Sequence, residues 1–466
     1  MNRLLILPLV LVSATVFAGQ AERIARVERG LRTPGVLAGE AAATRSLLDE
    51  MRRLHVPGVS VALIRNGKIA WARGYGVACA GGPAITPATL FQAASISKPV
   101  TAMAALRLAE RGELDLDADI NTLLSSWALP PGAATVTMRQ LLSHTAGTGV
   151  SGFPGYAADK PVPTLLQVLD GAPPANTKPV RIESAPGLEW RYSGGGYSVA
   201  QQALIDRTKQ PFDVLLRATV LAPIGMRDSR FAQPLPASLL ARAALPHDGE
   251  GKPVAGGPYT YPELAAAGLW TTPSDLARFA LDLQRSASGA KGVLSARMAR
   301  TMLTPVKNGY GLGVNVQGTG ASLSFAHGGS NTGYQNTLFA YARGDGAVVM
   351  TNGANGAELA NSMLRALAHE YKWPSQRATV RKTIALPVAA QEAIAGRYEV
   401  KGLGDFKIAR RDGRLMIALR GDTWEPLYAA SPTVLFVLSS ELELRLADGG
   451  GRIMAGSFDV PFTRAY

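Results

Sequence analysis

Ser-x-x-Lys occurs twice in this sequence of 466 residues, as Ser95-Ile96-Ser97-Lys98 and as Ser288-Gly289-Ala290-Lys291. A serine hydroxyl attacks a carbonyl only when a base takes its proton, and a lysine one helical turn away lies on the same face. With its ordinary pKa of about 10.4 a lysine is a poor base at neutral pH, so burial or nearby positive potential must lower it first. The first copy follows the strand-like Thr89-Leu90-Phe91 and enters a helix whose first turn accepts Pro99. Ser95 then sits at the positive end of the helix dipole, where backbone N–H groups favour developing negative charge. The second copy lies among Ser, Gly and Ala in a loop and reads as chance. Taken alone, a serine at such a junction is more often a helix N-cap than a nucleophile.

Two later stretches, in order, lift Ser95 above that background. Tyr192-Ser193-Gly194 follows Glu189-Trp190-Arg191 and precedes a helix beginning near Tyr197, and His327-Gly328-Gly329-Ser330 follows a strand at Leu323–Phe325. With this order the chain resembles the serine penicillin-recognising family: class C β-lactamases, DD-peptidases and related (family VIII-like) esterases. Supporting stretches are Pro57-Gly58-Val59-Ser60-Val61, Leu141-Leu142-Ser143-His144-Thr145-Ala146-Gly147, Gly268-Leu269-Trp270-Thr271-Thr272-Pro273-Ser274-Asp275 and Tyr310-Gly311-Leu312-Gly313. Together they cover roughly residues 45 to 370.

The resemblance implies an α+β fold with a β-lactamase/transpeptidase-like antiparallel sheet flanked by helices, and it assigns roles. Ser95 is the implied nucleophile, forming an acyl-enzyme. Lys98 and Tyr192 are implied to share acid and base work. The backbone N–H groups of Ser95 and Ser330 are the implied oxyanion hole. His327, Gly328, Gly329 and Gly194 are implied to border the substrate, with His327 donating toward Tyr192 or the substrate and titrating near neutral pH. Two positions depart from the family pattern. Gly194 stands where the usual Tyr-x-Asn has an amide, and Gly328 stands where the third motif usually has a threonine hydroxyl that holds a substrate carboxylate. Both losses count against a β-lactam or a D-Ala-D-Ala terminus and leave an ester or a D-amino-acid peptide as the expected substrate.

Other candidates carry less. His144 reads as a structural hydrogen-bond former rather than a catalyst, and Tyr334, in an out-of-order Tyr334-Gln335-Asn336, reads as a strand aromatic. His55, His247 and His369 lack metal-ligand spacing, so no metal and no organic cofactor is expected. The run Gly194–Gly196 is not preceded by the strand a phosphate-binding loop needs, and no Gly-x-Ser-x-Gly elbow is present.

The elements that must position these residues follow from patterning. Asn66-Gly67 between Val59–Ile64 and Ile69–Gly74 reads as a β-hairpin, 99–111 and 197–207 as helices, 337–341 and 347–351 as strands, and 357–371 as a closing helix. Residues 373–388 read as a linker. From 389 to 466, short alternating runs separated by Gly-Asp type turns read as a small antiparallel barrel, which resembles the lipocalin-like domains appended to some family members. At the other end, Arg3, the apolar Leu4–Phe17 and Val16-Phe17-Ala18 read as a signal peptide, residues 1–18, shorter than the ~20 residues a membrane span needs. The expected domains are therefore 1–18, a hydrolase at 19–372, the linker and the barrel, with the mature chain exported to the periplasm or secreted.

Composition narrows the partners. The formal charge is +13, yet no basic run or basic-aromatic interleaving exists, so nucleic acid is not an expected partner. Hydrophobic residues make up 47%, enough for more than one core, and the single Cys79 excludes an intrachain disulfide. The reading is an exported serine hydrolase acting on a small-molecule, peptide or ester substrate, cell-wall-derived ones included, with oligomeric state open. A β-lactamase or DD-carboxypeptidase and a non-catalytic wall-binding protein are the alternatives.

Overall fold

The computed structural model describes residues 9–130, 135–401, 403–419, 421–455 and 458–465. The start of the expected signal peptide, residues 1–8, lies outside them, and Leu9 to Ala18 form the first turns of a helix, Leu9–Arg29. The chain divides into two compact units, residues 51–361 and residues 1–50 with 362–466.

The larger unit is built on six strands: β1 (Gly58–Arg65), β2 (Lys68–Gly76), β3 (Asn315–Gln317), β4 (Ser324–Asn331), β5 (Tyr334–Tyr341) and β6 (Gly346–Thr351). Their order is β2-β1-β6-β5-β4-β3 and every pair is antiparallel. Asn66 and Gly67 both take positive φ, the backbone that a two-residue hairpin turn demands. The hairpin lies beside β6, so the two ends of this unit meet in one sheet and the helical middle is inserted between them. The main helices are α1 (Ser97–Glu110), α2 (Gly194–Thr208), the short α3 (Leu264–Ala267) and α4 (Pro273–Ser288). Helix α4 starts cleanly: Thr272 caps the Asp275 N–H at 3.2 Å and proline takes the first helical position. It packs on β1, β2, β5 and β6.

Two elements extend beyond their sequence-based bounds. Strand β4 runs on through His327-Gly328-Gly329-Ser330, although a glycine pair has poor strand propensity. Helix α2 begins at Gly194, three residues before the expected start at Tyr197. In both cases glycine serves close approach rather than flexibility.

The smaller unit redraws the expected boundaries. Strand Gly35–Leu37 pairs in parallel with Thr379–Arg381, so the stretch 373–388 is not a bare linker, and Pro387 opens a helix, Val388–Ile394. The N-terminal lead-in and the chain from residue 362 thus group with the barrel. The barrel sheet begins with Glu425–Pro426 and ends with Tyr428–Ala429, separated by Leu427 alone, so the chain carries the sheet round on itself. The sheet is nearly closed: among the described residues its two end strands do not pair with each other. Tyr398, Phe406 and Phe462 pack ring to ring at 5.2–5.4 Å in a core with Ile417, Leu435 and Leu444. The C-terminal end of the barrel is two strands, Gly450–Ala455 and Phe458–Ala465.

A Cβ on Gly329 would run into the carbonyl oxygen of Ala93, two residues before Ser95. Gly329→Ala should therefore push β4 off the Ser95 turn, costing about 1–3 kcal/mol in urea unfolding. A neutral substitution would show that the contact is slack.

Candidate active site

Ser95 lies in a 3-10 turn, Ala94–Ile96, between the short strand Phe91–Gln92 and α1. Ala94 has φ +52, a left-handed conformation costing a non-glycine residue about 1–2 kcal/mol, held immediately before the serine. The turn is clamped from three sides. Ser97 Oγ donates to the Ala94 carbonyl at 2.6 Å and accepts from the Leu269 N–H at 3.0 Å. Asn336 Nδ2 donates to the Gln92 carbonyl at 2.8 Å, and Asn331 Nδ2 to Gln92 Oε1 at 2.8 Å. Ser95 itself caps nothing; its Oγ accepts from Lys98 Nζ at 2.9 Å, as the one-turn spacing predicts.

Lys98 is 2% exposed. Its second hydrogen bond goes to the Ala266 carbonyl of α3 at 2.8 Å, and its Nζ lies 4.9 Å from the Tyr192 ring centroid and 5.7 Å from that of Tyr197. Tyr192 directly precedes Ser193, the N-cap of α2, whose Oγ accepts from the Gly196 N–H at 2.8 Å and donates to the Gly149 carbonyl at 2.7 Å. Serine, lysine and tyrosine, some 100 residues apart in sequence, thus share one place.

His327 is beside them but turned away from the expected role. Its Nδ1 donates to the Gly328 carbonyl at 2.6 Å, which leaves Nε2 to accept from the Tyr310 hydroxyl at 3.1 Å. Burial, with the Lys98 charge second, lowers its pKa to about 3, so it is a neutral acceptor and not a titrating donor near pH 7. Tyr192 is 6.3 Å away between ring centroids. Strand β3 pairs only with Ser324–Ala326, so among the described residues no strand lies on the outer side of β4 from His327 to Asn331. Gly328 and Ser330 lie on the exposed face there, and Gln335 Nε2 donates to Ser330 Oγ at 2.9 Å.

The two departures have different surroundings. A Cβ on Gly328 would meet only the Asn336 carbonyl oxygen, at 3.9 Å. A Cβ on Gly194 would meet the Phe153 ring at 2.9 Å and the Ser151 carbonyl at 3.2 Å. An aromatic wall stands where the family pattern has an amide.

Sequence reasoning had no signal for Phe153 or for the Ala266 carbonyl, and it took Tyr310 only as part of a supporting stretch. His144 is buried in a hydrogen-bonded turn, as expected, and Tyr334 is a buried residue of β5 that donates to the Ala244 carbonyl at 2.7 Å. The second Ser-x-x-Lys lies at the exposed end of α4, where Ser288 Oγ donates to the Arg285 carbonyl. Near α3, Glu263 is buried with neither carboxyl oxygen bonded to another residue's side chain, and burial raises its pKa to about 8.

A family profile described as beta-lactamase matches residues 43–372. The chain belongs to the beta-lactamase family. Members of this fold family are serine hydrolases, among them esterases, amidases and peptidases. The family chain is 35% identical over 229 residues to esterase EstB of Burkholderia gladioli, covering 46% of itself and 56% of the esterase, just over half of that protein's length. It is 28% identical to penicillin-binding protein 4 of Amycolatopsis lactamdurans, over 75% of this chain and 94% of that one. In fold it is similar to the octameric penicillin-binding protein homologue from Pyrococcus abyssi, with TM-score 0.62, 22% identity, and 89% and 98% of the two chains covered. The D-amino acid amidase of Ochrobactrum anthropi gives TM-score 0.55 at 22% identity, over 70% and 96%.

The buried titrating groups set opposite limbs of stability. Burial, then the Lys98 charge, lowers His144 and His327, so below about pH 6.5 the unfolded chain takes protons that the folded one refuses, and stability is lost toward pH 3. Glu263 is raised, so its contribution is complete below about pH 4.5 and is lost as pH rises toward 8. Each group adds a slope of at most about 1.4 kcal/mol per pH unit. Melting temperature against pH should flatten on the alkaline side in Glu263→Gln and on the acid side in His327→Gln; parallel curves for all three proteins would contradict the assignment.

Proposed function

We propose that the chain is an exported serine hydrolase that transfers acyl groups through Ser95, acting on esters or D-amino-acid peptides and amides with an apolar acyl part. The observation that carries this is the contact of Lys98 Nζ with Ser95 Oγ at 2.9 Å beneath the Tyr192 ring. Lys98 first gives up one proton to solvent; Ser95 Oγ then attacks the carbonyl carbon while its own proton passes to the Lys98 amine. Tyr192 returns a proton to the departing alkoxide or amine, leaving an acyl-serine. Water then attacks the acyl carbon, its proton goes back through Tyr192 and Lys98, and the carboxylic acid leaves with Ser95 regenerated. The Ser95 and Ser330 N–H groups are the proposed donors to the carbonyl oxygen as it gains charge, on the side of β4 that has no neighbouring strand.

Substrate preference follows from the two glycines. Phe153 against Gly194 favours an apolar acyl group, and the absence of a side chain at 328 leaves a substrate carboxylate without a hydroxyl donor. The names of relatives, an esterase and a D-amino acid amidase, agree with this range. The basic residue and apolar run near the start of the sequence, Arg3 and Leu4–Phe17, support export.

p-Nitrophenyl butyrate should be hydrolysed, with Ser95→Ala lowering kcat at least ~10³-fold. A cephalosporin or a D-Ala-D-Ala peptide should turn over much more slowly. A reactive-serine probe that labels Ser95→Ala as well as the parent would refute the nucleophile. Gly328→Thr has room for its side chain and should shift the ratio of D-Ala-D-Ala peptide to ester hydrolysis upward by about tenfold, one good hydrogen bond to a charged group. Gly194→Asn should lower both rates, since it meets Phe153. Faster peptide turnover in Gly194→Asn than in Gly328→Thr would overturn the distinction.

A further inference from the structure

His144 occupies a left-handed backbone position. The short helix Met138–Leu142, started by a capping box at Thr137 and Gln140, ends with Ser143 as C-cap, and His144 follows with φ +58. Left-handed residues after a helix are usually glycine or asparagine, and any other side chain there costs about 1–2 kcal/mol. The turn is secured on both sides of the histidine: Ser143 Oγ and Thr145 Oγ1 share a hydrogen bond at 2.9 Å, and the Thr145 carbonyl accepts from the Gly187 N–H at 2.7 Å.

What the imidazole does there is specific. The His144 carbonyl accepts from the Arg191 N–H at 2.8 Å, and its Nδ1 accepts from the Ser193 N–H at 3.1 Å. Its ring packs against the Tyr192 ring with centroids 4.3 Å apart. One residue therefore grips the chain immediately before and immediately after Tyr192 and also the face of its side chain. The Nδ1 bond requires the tautomer with its proton on Nε2, and burial, with the Lys98 charge second, keeps the ring uncharged, so the lone pair stays available. Tyr197 and Tyr310 close the remaining sides at 5.4 and 4.8 Å.

We propose that His144 is the positioning residue of the site, holding Tyr192 over Lys98 by accepting from the backbone on both sides of it. It touches neither substrate nor reacting atoms. The inference rests on the reading of Tyr192 as the acid and base group of the acyl transfer.

Three variants and one cycle test it. His144→Asn suits the left-handed backbone and offers Oδ1 to the Ser193 N–H but has no ring, whereas His144→Phe keeps a ring and has no acceptor. On p-nitrophenyl butyrate, His144→Phe should lose about tenfold or more in kcat at unchanged KM, with His144→Asn recovering most of the loss. In a Tyr192→Phe background, His144→Phe should have no further effect on kcat, because it acts through the missing hydroxyl. Circular dichroism and melting of each variant establish that the folded protein is being assayed. An equal loss from His144→Phe in both backgrounds, or full activity in His144→Phe while Tyr192→Phe is slow, would overturn the positioning role and leave the acyl-transfer reading standing. Full activity in Tyr192→Phe would overturn the reading itself.

Discussion

A lysine ammonium taken out of water, with no carboxylate paired to it among the described residues, is the constraint around which this site is arranged. Desolvating such a group costs several kcal/mol. Two hydrogen bonds from a charged donor return about 1.5–3 kcal/mol each, and the faces of Tyr192 and Tyr197 add about 0.5–2 kcal/mol. All of these partners are dipoles or quadrupoles, useful only where they are fixed. Ala266 is fixed by α3, Ser95 by a turn clamped through Ser97 and Gln92, and the tyrosines by the start of α2. A carboxylate partner would have held the ammonium more tightly and would have blocked proton exchange with Ser95. It would also have drawn His144 and His327 toward the charged form. Without it both remain neutral acceptors, one for the Ser193 N–H and one for the Tyr310 hydroxyl.

Residues that carried chemistry were legible because their types are costly to bury and their spacing is dictated by helix geometry. Ser95 and Lys98 meet as one helical turn requires, and Tyr192 was found by its order in the chain. The residues that hold them were not legible. A backbone carbonyl has no letter in a sequence, so Ala266, 168 positions from Lys98, could not be singled out. His144 was read as a hydrogen-bond former, but its partner, the N–H beyond Tyr192, is set by a turn whose sign of φ no pattern gives. His327 was assigned the wrong direction because tautomer and burial are properties of the packed site.

Secondary structure followed the same division. Hairpin β1–β2 and the barrel strands were read from alternation and Asn-Gly or Gly-Asp turns, signals carried within a few residues. The starts of α2 and the length of β4 were missed because glycine propensity argues against both elements. Tertiary contact overrides it: Gly195 lies against the Gly149 carbonyl, and Gly329 against that of Ala93. The parallel pairing of Gly35–Leu37 with Thr379–Arg381 joins segments more than 300 residues apart through three residues each, too short for any periodicity to mark. Charge places the barrel differently from the rest. From Gln391 to Tyr466 ten basic residues face ten acidic ones, so the excess of +13 belongs wholly to the remainder of the chain.

The two glycines that set this chain apart from the family pattern are alike in sequence, each a lost polar side chain. In the folded protein they are opposites. At 194 the lost amide has been replaced: Phe153 fills the place, the Ser151 carbonyl lies close behind, and restoring asparagine means displacing both. At 328 the position is on the exposed face of β4 with one distant neighbour, so a hydroxyl can be restored without moving anything. An apolar wall raises affinity for an apolar acyl group and also leaves a polar one with unmet hydrogen bonds, which is the stronger term, since an unpaired buried polar group costs about 1–3 kcal/mol. An exposed glycine imposes no such penalty, because water reaches a carboxylate there. On the proposed acyl transfer, discrimination against polar acyl groups would come from the packing around Gly194, whereas indifference to a carboxylate at Gly328 would be the mere lack of a donor.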